Sequence, residues 1–399
     1  MLLLLASLAS AEPVRGYADL HIHIGAHLAV PVYGEGPDAA PPEHFRYRHA
    51  LRPQIFADDL AGSGPTIFVS MAYANPFATV FETRASMRAR IERQLDAVES
   101  FCAHHADRFT LAHTPEEART AITGGQTVII HGIEGATKIL GEPGDAARWA
   151  ARGIAVVTPI HLADNALGGA LCQEGALGML NVLGCLRQGF APRRHGLTPE
   201  GSRAVASLID AGVVIDLAHT SPQSFDDLLP LLAERSVAPL YTHITSRAVR
   251  EDPGALTDTQ ITAIYALGGL AGVTANLHSV SPRPVPEALP ATRCRGSVDD
   301  LRLQWEHIAA LTAGAPLAWG SDFQGGIAHL RPRYGPDGCA DVRPDGAPLN
   351  DFDVEGLSRP GLVGAMFDDL AREGMDRRPL DASAERLLTV WEQARAAGR

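Results

Sequence analysis

Lysine is almost absent from this chain of 399 residues: Lys138 stands alone against 33 arginines. No run of basic residues is present to track a phosphate backbone, and the formal net charge is −12. Nucleic acid is therefore not an expected partner, nor is a cation-led contact with a membrane. Cysteine is scarce too. The five cysteines include no C-x-x-C pair, which argues against a cysteine-held zinc. If the protein is exported, Cys172 with Cys185 and Cys294 with Cys339 are candidate disulfides; otherwise all five are buried or free thiols. No apolar run is long enough to span a bilayer. The start of the chain, Met1 to Ala11, is a short apolar stretch ending in Ala9-Ser10-Ala11, which fits a signal cleavage site. The expectation is a signal peptide over residues 1–11, with a periplasmic or secreted location. If that segment is instead a simple arm, the location is cytoplasmic.

What is present is an ordinary globular composition, 46% hydrophobic and 20% charged. Eight short β-branched, apolar runs stand out: Tyr17–His23, Thr66–Ala72, Thr127–His131, Ile154–His161, Val213–His219, Pro239–His243, Leu270–Asn276 and Leu317–Asp322. Several are continuous rather than alternating, as in parallel strands covered on both faces. Amphipathic stretches lie between them. Ala85–His105 places Ile91, Leu95, Val98 and Cys102 on one helical face. Thr198-Pro199-Glu200 reads as an N-cap followed by proline at the first helical position. Ser221–Arg235, Asp258–Leu267 and Ser297–Ala313 also open at capping residues, with Ser297 as an N-cap. Strand–helix alternation repeated eight times predicts an α/β protein, a (β/α)8 TIM barrel, as a single domain over residues 12–399. Leu162–Gly196 and Phe323–Pro360 follow the fourth and eighth strands. Both are long enough to be substrate-binding loops.

The chemistry gathers at strand ends. His21 and His23 close the first run, and alternate residues of a strand share a face, so the two can chelate one ion. With 16 histidines in the chain, that pair alone is weak. Glu134, His219, His243 and Asp322 each end an apolar run too, where a core position would be aliphatic. Buried charge there is costly unless paired or metal-bound. The metal ligands predicted are thus His21, His23, Glu134, His219, His243 and Asp322. That is more than one tetrahedral zinc with an open position needs, so two divalent metal ions are expected, with Glu134 between them. Imidazole and carboxylate together suit Zn2+, with Mn2+, Co2+ or Fe2+ as alternatives. Some barrel hydrolases bridge their metals with a carboxylated lysine, but Lys138 lies beyond its strand end. His161 ends the fourth run on the same rim and is a candidate donor to a developing oxyanion; the alternative is a structural histidine. His131 is expected beside the site rather than on the metals, and His104 and His105 on the surface.

Six words in order resemble the membrane dipeptidase (renal dipeptidase) family of the amidohydrolase superfamily. They are Arg108-Phe109-Thr110-Leu111-Ala112, Gly132-Ile133-Glu134-Gly135, Gly196-Leu197-Thr198-Pro199-Glu200-Gly201, Ile215-Asp216-Leu217-Ala218-His219-Thr220-Ser221, Thr242-His243-Ile244-Thr245-Ser246-Arg247-Ala248 and Gly320-Ser321-Asp322-Phe323. The resemblance implies a (β/α)8 barrel, two zincs bridged by Glu134, dipeptide hydrolysis, and His161 polarising the scissile carbonyl. Three departures stand out. The family has His-x-Asp where this chain has His21-Ile22-His23. Its carboxylate-gripping arginine falls on Gly254, leaving Arg250 or Arg247 to compensate. Its C-terminal Gly-Gly-Asn-Phe is replaced by Asp381-Ala382-Ser383-Ala384-Glu385.

The function expected is hydrolysis of an amide or peptide bond by a metal-bridging hydroxide. The substrate is a dipeptide or small N-acyl amino acid. Asp322 and His161 are the catalytic residues, and Arg250 with His161 binds substrate. A phosphoester or lactone hydrolase is the first alternative, and a ligand-binding barrel without catalysis the second. A homodimer is one expectation for its assembly.

Overall fold

The computed structural model describes residues 12–29, 37–40, 54–73, 82–173, 179–190, 195–284 and 293–398. The expected signal segment lies outside the described residues. Among them are nine strands: β1 (Ala18–Ile22), β2 (Ile67–Tyr73), β3 (Phe109–Leu111), β4 (Thr127–Glu134), β5 (Ile154–Thr158), β6 (Val214–Ile215), β7 (Leu240–Ile244), β8 (Leu270–Val273) and β9 (Ala318–Trp319). All named pairs are parallel, in the order β6-β5-β4-β2-β1-β9-β8-β7. The Leu217 N–H donates to the Leu240 carbonyl at 2.9 Å, joining the two ends of that order. The fold is a (β/α)8 barrel, as the alternation predicts. The extra strand β3 pairs with Thr127–Ile129 of β4, while β5 pairs with the C-terminal half, His131–Glu134.

The helices start where the capping residues predict. Thr198, Ser221 and Ser297 each accept a backbone N–H at the first turn of Pro199–Asp210, Pro222–Glu234 and Val298–Leu311. For Asp258–Ala266 the cap falls one residue earlier than expected: Thr257, not Asp258, is the N-cap, through a capping box with Gln260. Arg84–His104 buries Met87, Ile91, Leu95, Val98 and Cys102, the stripe its spacing predicts. The C-terminal helix Ser383–Ala397 has a role no periodicity announced. Its Leu387, Leu388 and Trp391 pack with Leu20, Val69, Ile130 and Leu240 of the strands. No described helix is long and apolar enough to cross a membrane.

Both candidate disulfides, Cys172–Cys185 and Cys294–Cys339, are formed, and Cys102 is a buried free thiol. The first staples the long segment after β5, which carries the short helix Val182–Phe190. The second crosses the segment after β9 to the residues before Val298–Leu311.

β6 and β9 are shorter than the apolar runs that hold them. Buried carboxylates take over the ladder there. Asp216 Oδ1 accepts the N–H groups of Ala218 (3.1 Å) and Thr242 (3.0 Å). Asp19 Oδ1 accepts those of His21 (3.1 Å) and Ser321 (3.0 Å). Side-chain oxygens replace carbonyls at the ends of these strands, which frees the backbone to turn and present the residues that follow.

Candidate active site

The chain reaches one mouth of the barrel seven times with a ligand-type side chain. His21 lies in β1 and His23 just after it. Glu134 ends β4, and His243 lies in β7. His161, His219 and Asp322 follow β5, β6 and β9. Glu134 is the hub. Its Oε1 is 3.0 Å from His219 Nε2 and 3.4 Å from His21 Nε2; its Oε2 is 3.5 Å from His161 Nε2 and 3.6 Å from His23 Nε2. Asp322 Oδ1 is 3.2 Å from His23 Nε2 and 3.9 Å from His21 Nε2. His243 Nε2 is 2.9 Å from His219 Nε2. All six predicted ligands and His161 are therefore in one cluster. Three sets within it bring ligand atoms within 4.8 Å of one another: His21–His23–Asp322, His21–Glu134–His243 and Glu134–His161–His219.

Two of these residues are held in left-handed backbone, His219 at φ 62° and Asp322 at φ 56°. For non-glycine residues this costs about 1–3 kcal/mol each and persists where surrounding bonds fix it. The fixing bonds run from Asp322 N–H to the His21 carbonyl, within the cluster, and from Leu171 N–H, in the segment after β5, to the His219 carbonyl, both 2.7 Å.

The donor set fits a cation better than it fits itself. His23 Nδ1 is 2.9 Å from the Met71 carbonyl oxygen, which can only accept, so the ring hydrogen sits on Nδ1. In the neutral ring, Nε2 then turns a bare lone pair toward Asp322 Oδ1, Glu134 Oε2 and His21 Nε2, the last at 3.2 Å. Lone pairs facing lone pairs repel unless positive charge, a cation or a proton on one of the rings, lies between them. Two imidazole nitrogens on one tetrahedral zinc at ~2.0–2.1 Å would stand ~3.3 Å apart. The His21–His23 separation matches that figure.

The electrostatics agree. Burial alone would lower the pKa of His21, but Glu134 and then Asp322 outweigh it and hold the ring up at about 9. Burial would raise Glu134, yet the surrounding histidines, His161 and His21 foremost, hold it well below the usual carboxylate range. Asp322 is held at about 2 against the upward push of burial, by its bond to His23 and the charges of His21, His23 and His243. Burial drives His161 down to about 3, so its ring is neutral. The mouth thus combines ionised carboxylates with a neutral N–H donor.

Four supporting residues escaped the sequence reading. Asp19 and Asp216 hold the strand ends, and burial lifts the pKa of both, Asp19 to about 7. Thr242 contacts the rings of His21 and His243. His329 Nε2 is 2.8 Å from the Ser321 carbonyl, and its ring stacks on Phe323, bracing both sides of Asp322. A signal for the two aspartates was present: each interrupts an apolar run two or three residues ahead of a ligand.

Other expectations need correction or placement. His131 does not stand beside the mouth. It is three residues from Glu134 on β4 and so faces the opposite side of the strand. There it is buried near Glu99, Arg152 and His113, and burial lowers its pKa to about 3. His105 is buried rather than on the surface, while its neighbour His104 is exposed. Lys138 donates to the Glu82 carbonyl, at the start of Arg84–His104, away from the bridge. Arg250 is engaged by Asp252 Oδ2 and the Ser281 carbonyl, both at 3.1 Å. Arg247 donates to the carbonyls of Ala255 and Pro253. Arg247, Asp252 and Arg283 line a cavity of about 520 Å3 together with Gln188 and Glu251.

The profile of the membrane dipeptidase family (peptidase family M19) matches residues 66–332. A dipeptidase of Clonostachys rogersoniana is 25% identical over 190 residues, 47% of this chain and 44% of that protein. An uncharacterized dipeptidase of Schizosaccharomyces pombe is 23% identical over 304 residues, 75% of this chain and 61% of that one. The chain thus spans about half the length of these curated relatives. Among solved structures, a metallopeptidase of family M19 described as dipeptidase AC superposes with a TM-score of 0.71 at 15% identity, covering 96% of this chain and 99% of the other.

Proposed function

This chain belongs to the membrane dipeptidase family, and from that premise we propose that it hydrolyses the amide bond of a dipeptide or small N-acyl amino acid with two divalent cations, Zn2+ by expectation. One observation carries the proposal. Glu134 turns one oxygen toward His21 and His219 and the other toward His23 and His161. A carboxylate that lies against His21 and His23 on one side and His219 on the other could be shared by two ions. His21, His23, Asp322 and Glu134 would hold one; Glu134, His219 and His243 the other. When bound, the cations lower the pKa of water and polarise a carbonyl.

The side chains account for the rest. Asp322 is ionised and reaches into the mouth, so it can take a proton from the attacking water and pass it to the leaving amine. His161 is neutral and on the same rim, so a ring N–H can meet negative charge developing on the carbonyl oxygen. Arg250 is the proposed partner for a substrate carboxylate; binding would compete with its bond to Asp252. We propose export as well, supported by two disulfides, a bond that forms and persists mainly in oxidising compartments.

The test is a panel of dipeptides and N-acyl amino acids offered to zinc-loaded protein, with metal counted in the same samples. Turnover with two ions per chain is expected. Two ions without hydrolysis of any member would overturn the amide-hydrolase reading. Gly254→Arg refines it. A Cβ at Gly254 would meet Asp252 Oδ1 at 3.1 Å and Leu171 Cδ2 at 3.8 Å, a modest crowding. If dipeptides bind through their carboxylate, the new guanidinium should lower their KM by about tenfold or more, the scale of a charge-assisted hydrogen bond.

A further inference from the structure

One hydroxyl touches two of the mouth's histidines on their outer nitrogens. Thr242 Oγ1 lies 2.9 Å from His21 Nδ1, 3.0 Å from His243 Nδ1 and 2.8 Å from Asp216 Oδ2. A hydroxyl has one hydrogen to give and two lone pairs with which to accept. With these three partners, one arrangement satisfies all of them. The hydrogen goes to the carboxylate, and each lone pair receives a ring N–H. Asp216 is built to take that hydrogen. Its Oδ2 also accepts from the Thr158 hydroxyl at 2.6 Å, and its Oδ1 accepts the N–H groups of Ala218 and Thr242. Four donors on two oxygens are the partners of an ionised carboxylate, which can only accept. Asp216 and Thr242 are fully buried, so water does not compete.

We infer that Thr242 is a positioning residue for both halves of the metal centre: its single hydroxyl, oriented by Asp216, keeps the hydrogens of His21 and His243 on Nδ1 and so points both Nε2 atoms into the mouth. The inference rests on the metal-site reading above and adds a link between the two ions. His21 groups with His23 and Asp322, whereas His243 groups with Glu134 and stands against His219. The same oxygen therefore serves both sets. His23 is an internal control, because the Met71 carbonyl holds its Nδ1 without help from Thr242.

Thr242→Val removes the hydroxyl with little change of shape, and Thr242→Ser keeps it. Whole protein is dialysed to equilibrium against zinc at graded chelator concentrations, and metal is counted per chain. Loss of such a supporting bond typically costs 10–100-fold in metal affinity, so Thr242→Val should need roughly 10–100 times more free zinc to fill both sites. Thr242→Ser should fill them at nearly the wild-type concentration. A second readout needs no metal: nitrogen NMR of 15N-labelled imidazoles in chelator-treated protein at pH 10, well above the ordinary histidine range. Wild type and Thr242→Ser should show His21, His23 and His243 with hydrogen on Nδ1. In Thr242→Val, His21 and His243 should lose that preference while His23 keeps it. Asp216→Asn offers Thr242 an amide N–H instead of an acceptor, so one of the two rings should switch to hydrogen on Nε2. If Thr242→Val does not fold, Asp216→Asn carries the tautomer test alone.

Unchanged zinc filling in Thr242→Val would overturn the inference, and so would loss of one ion with the other unaffected or unaltered tautomers in both variants. Wild-type protein that binds no zinc would instead overturn the metal-site reading, and the tautomers would still decide the role of Thr242.

Discussion

Two clusters in this protein are made of the same residue types and differ in what they can hold. At the mouth, histidines and carboxylates converge on Glu134. On the outside, Asp38 meets His105 Nε2 at 3.0 Å and His104 Nε2 at 3.8 Å, a second set of ligand-type atoms within 4.8 Å of one another. Distance does not separate them; the far side of each ring does. His23 Nδ1 faces a carbonyl and His21 and His243 face a hydroxyl committed to Asp216, so in the neutral rings their Nε2 atoms are bare. His105 Nδ1 faces Arg108 NH2 at 2.9 Å, and a guanidinium can only donate. That ring must carry its hydrogen on Nε2, the atom turned toward Asp38. The outer cluster is a close His105–Asp38 contact with an exposed neighbour, whereas the mouth is a donor set. The lesson is that the groups behind the ligands decide whether a cluster binds metal.

The largest effect that would break this contrast comes from the hub. Glu134→Gln removes the charge that the two proposed ions would share, so ion content should fall from two to one or none and turnover below detection. Asp38→Asn should leave ion content and turnover unchanged. Metal analysis after desalting, with turnover of the best panel substrate, checks both. Equal losses from the two variants would erase the distinction between the clusters.

His161→Phe comes next. A neutral N–H placed for an oxyanion is worth ~10²–10³ in kcat. The variant should lose that much with KM little changed and both ions retained. Because His161 also lies within ligand distance of Glu134 and His219, loss of one ion would make it a ligand instead. Metal content and kcat measured on one sample separate the roles.

Much of this was legible in the chain. The apolar runs ended where polar ligands stood, and charge at such positions is tolerated only for a reason. That logic placed Glu134, His219, His243 and Asp322 at the mouth before any coordinates. It stopped where information became non-local. Nothing near Thr242 in sequence says that its hydroxyl meets His21, 221 residues away. The left-handed backbone at His219 and Asp322 follows from bonds to segments distant in the chain, Leu171 and His21, and has no glycine to announce it. His131 misled because a strand end presents both faces, and adjacency to Glu134 in sequence does not put two residues on one face. The short strand β3 is only three residues long, too brief for periodicity to reveal. The C-terminal helix Ser383–Ala397 drew no reading from the sequence, because the strand residues it packs on, such as Leu20 and Val69, are distant in the chain.

The smallest effect sharpens the contrast from the other side. Arg108→Met removes the donor on His105 Nδ1 and leaves the ring of a buried residue free to move its hydrogen there. Nε2 then becomes bare beside Asp38 and His104, the condition the mouth already meets. The gain should be small. Asp38 and His104 are 61% and 71% exposed, and ordering mobile side chains costs free energy. Arg108 also pairs with Asp58, so the substitution loosens its surroundings. About tenfold tighter binding of a third, weak zinc is the expected ceiling, the lower end of what such supporting bonds contribute. Titration calorimetry on protein already holding its two mouth ions reads it. A third zinc in wild type, as tight as in Arg108→Met, would mean that the guanidinium does not set the ring's hydrogen, and the comparison between the clusters would have to rest on burial alone.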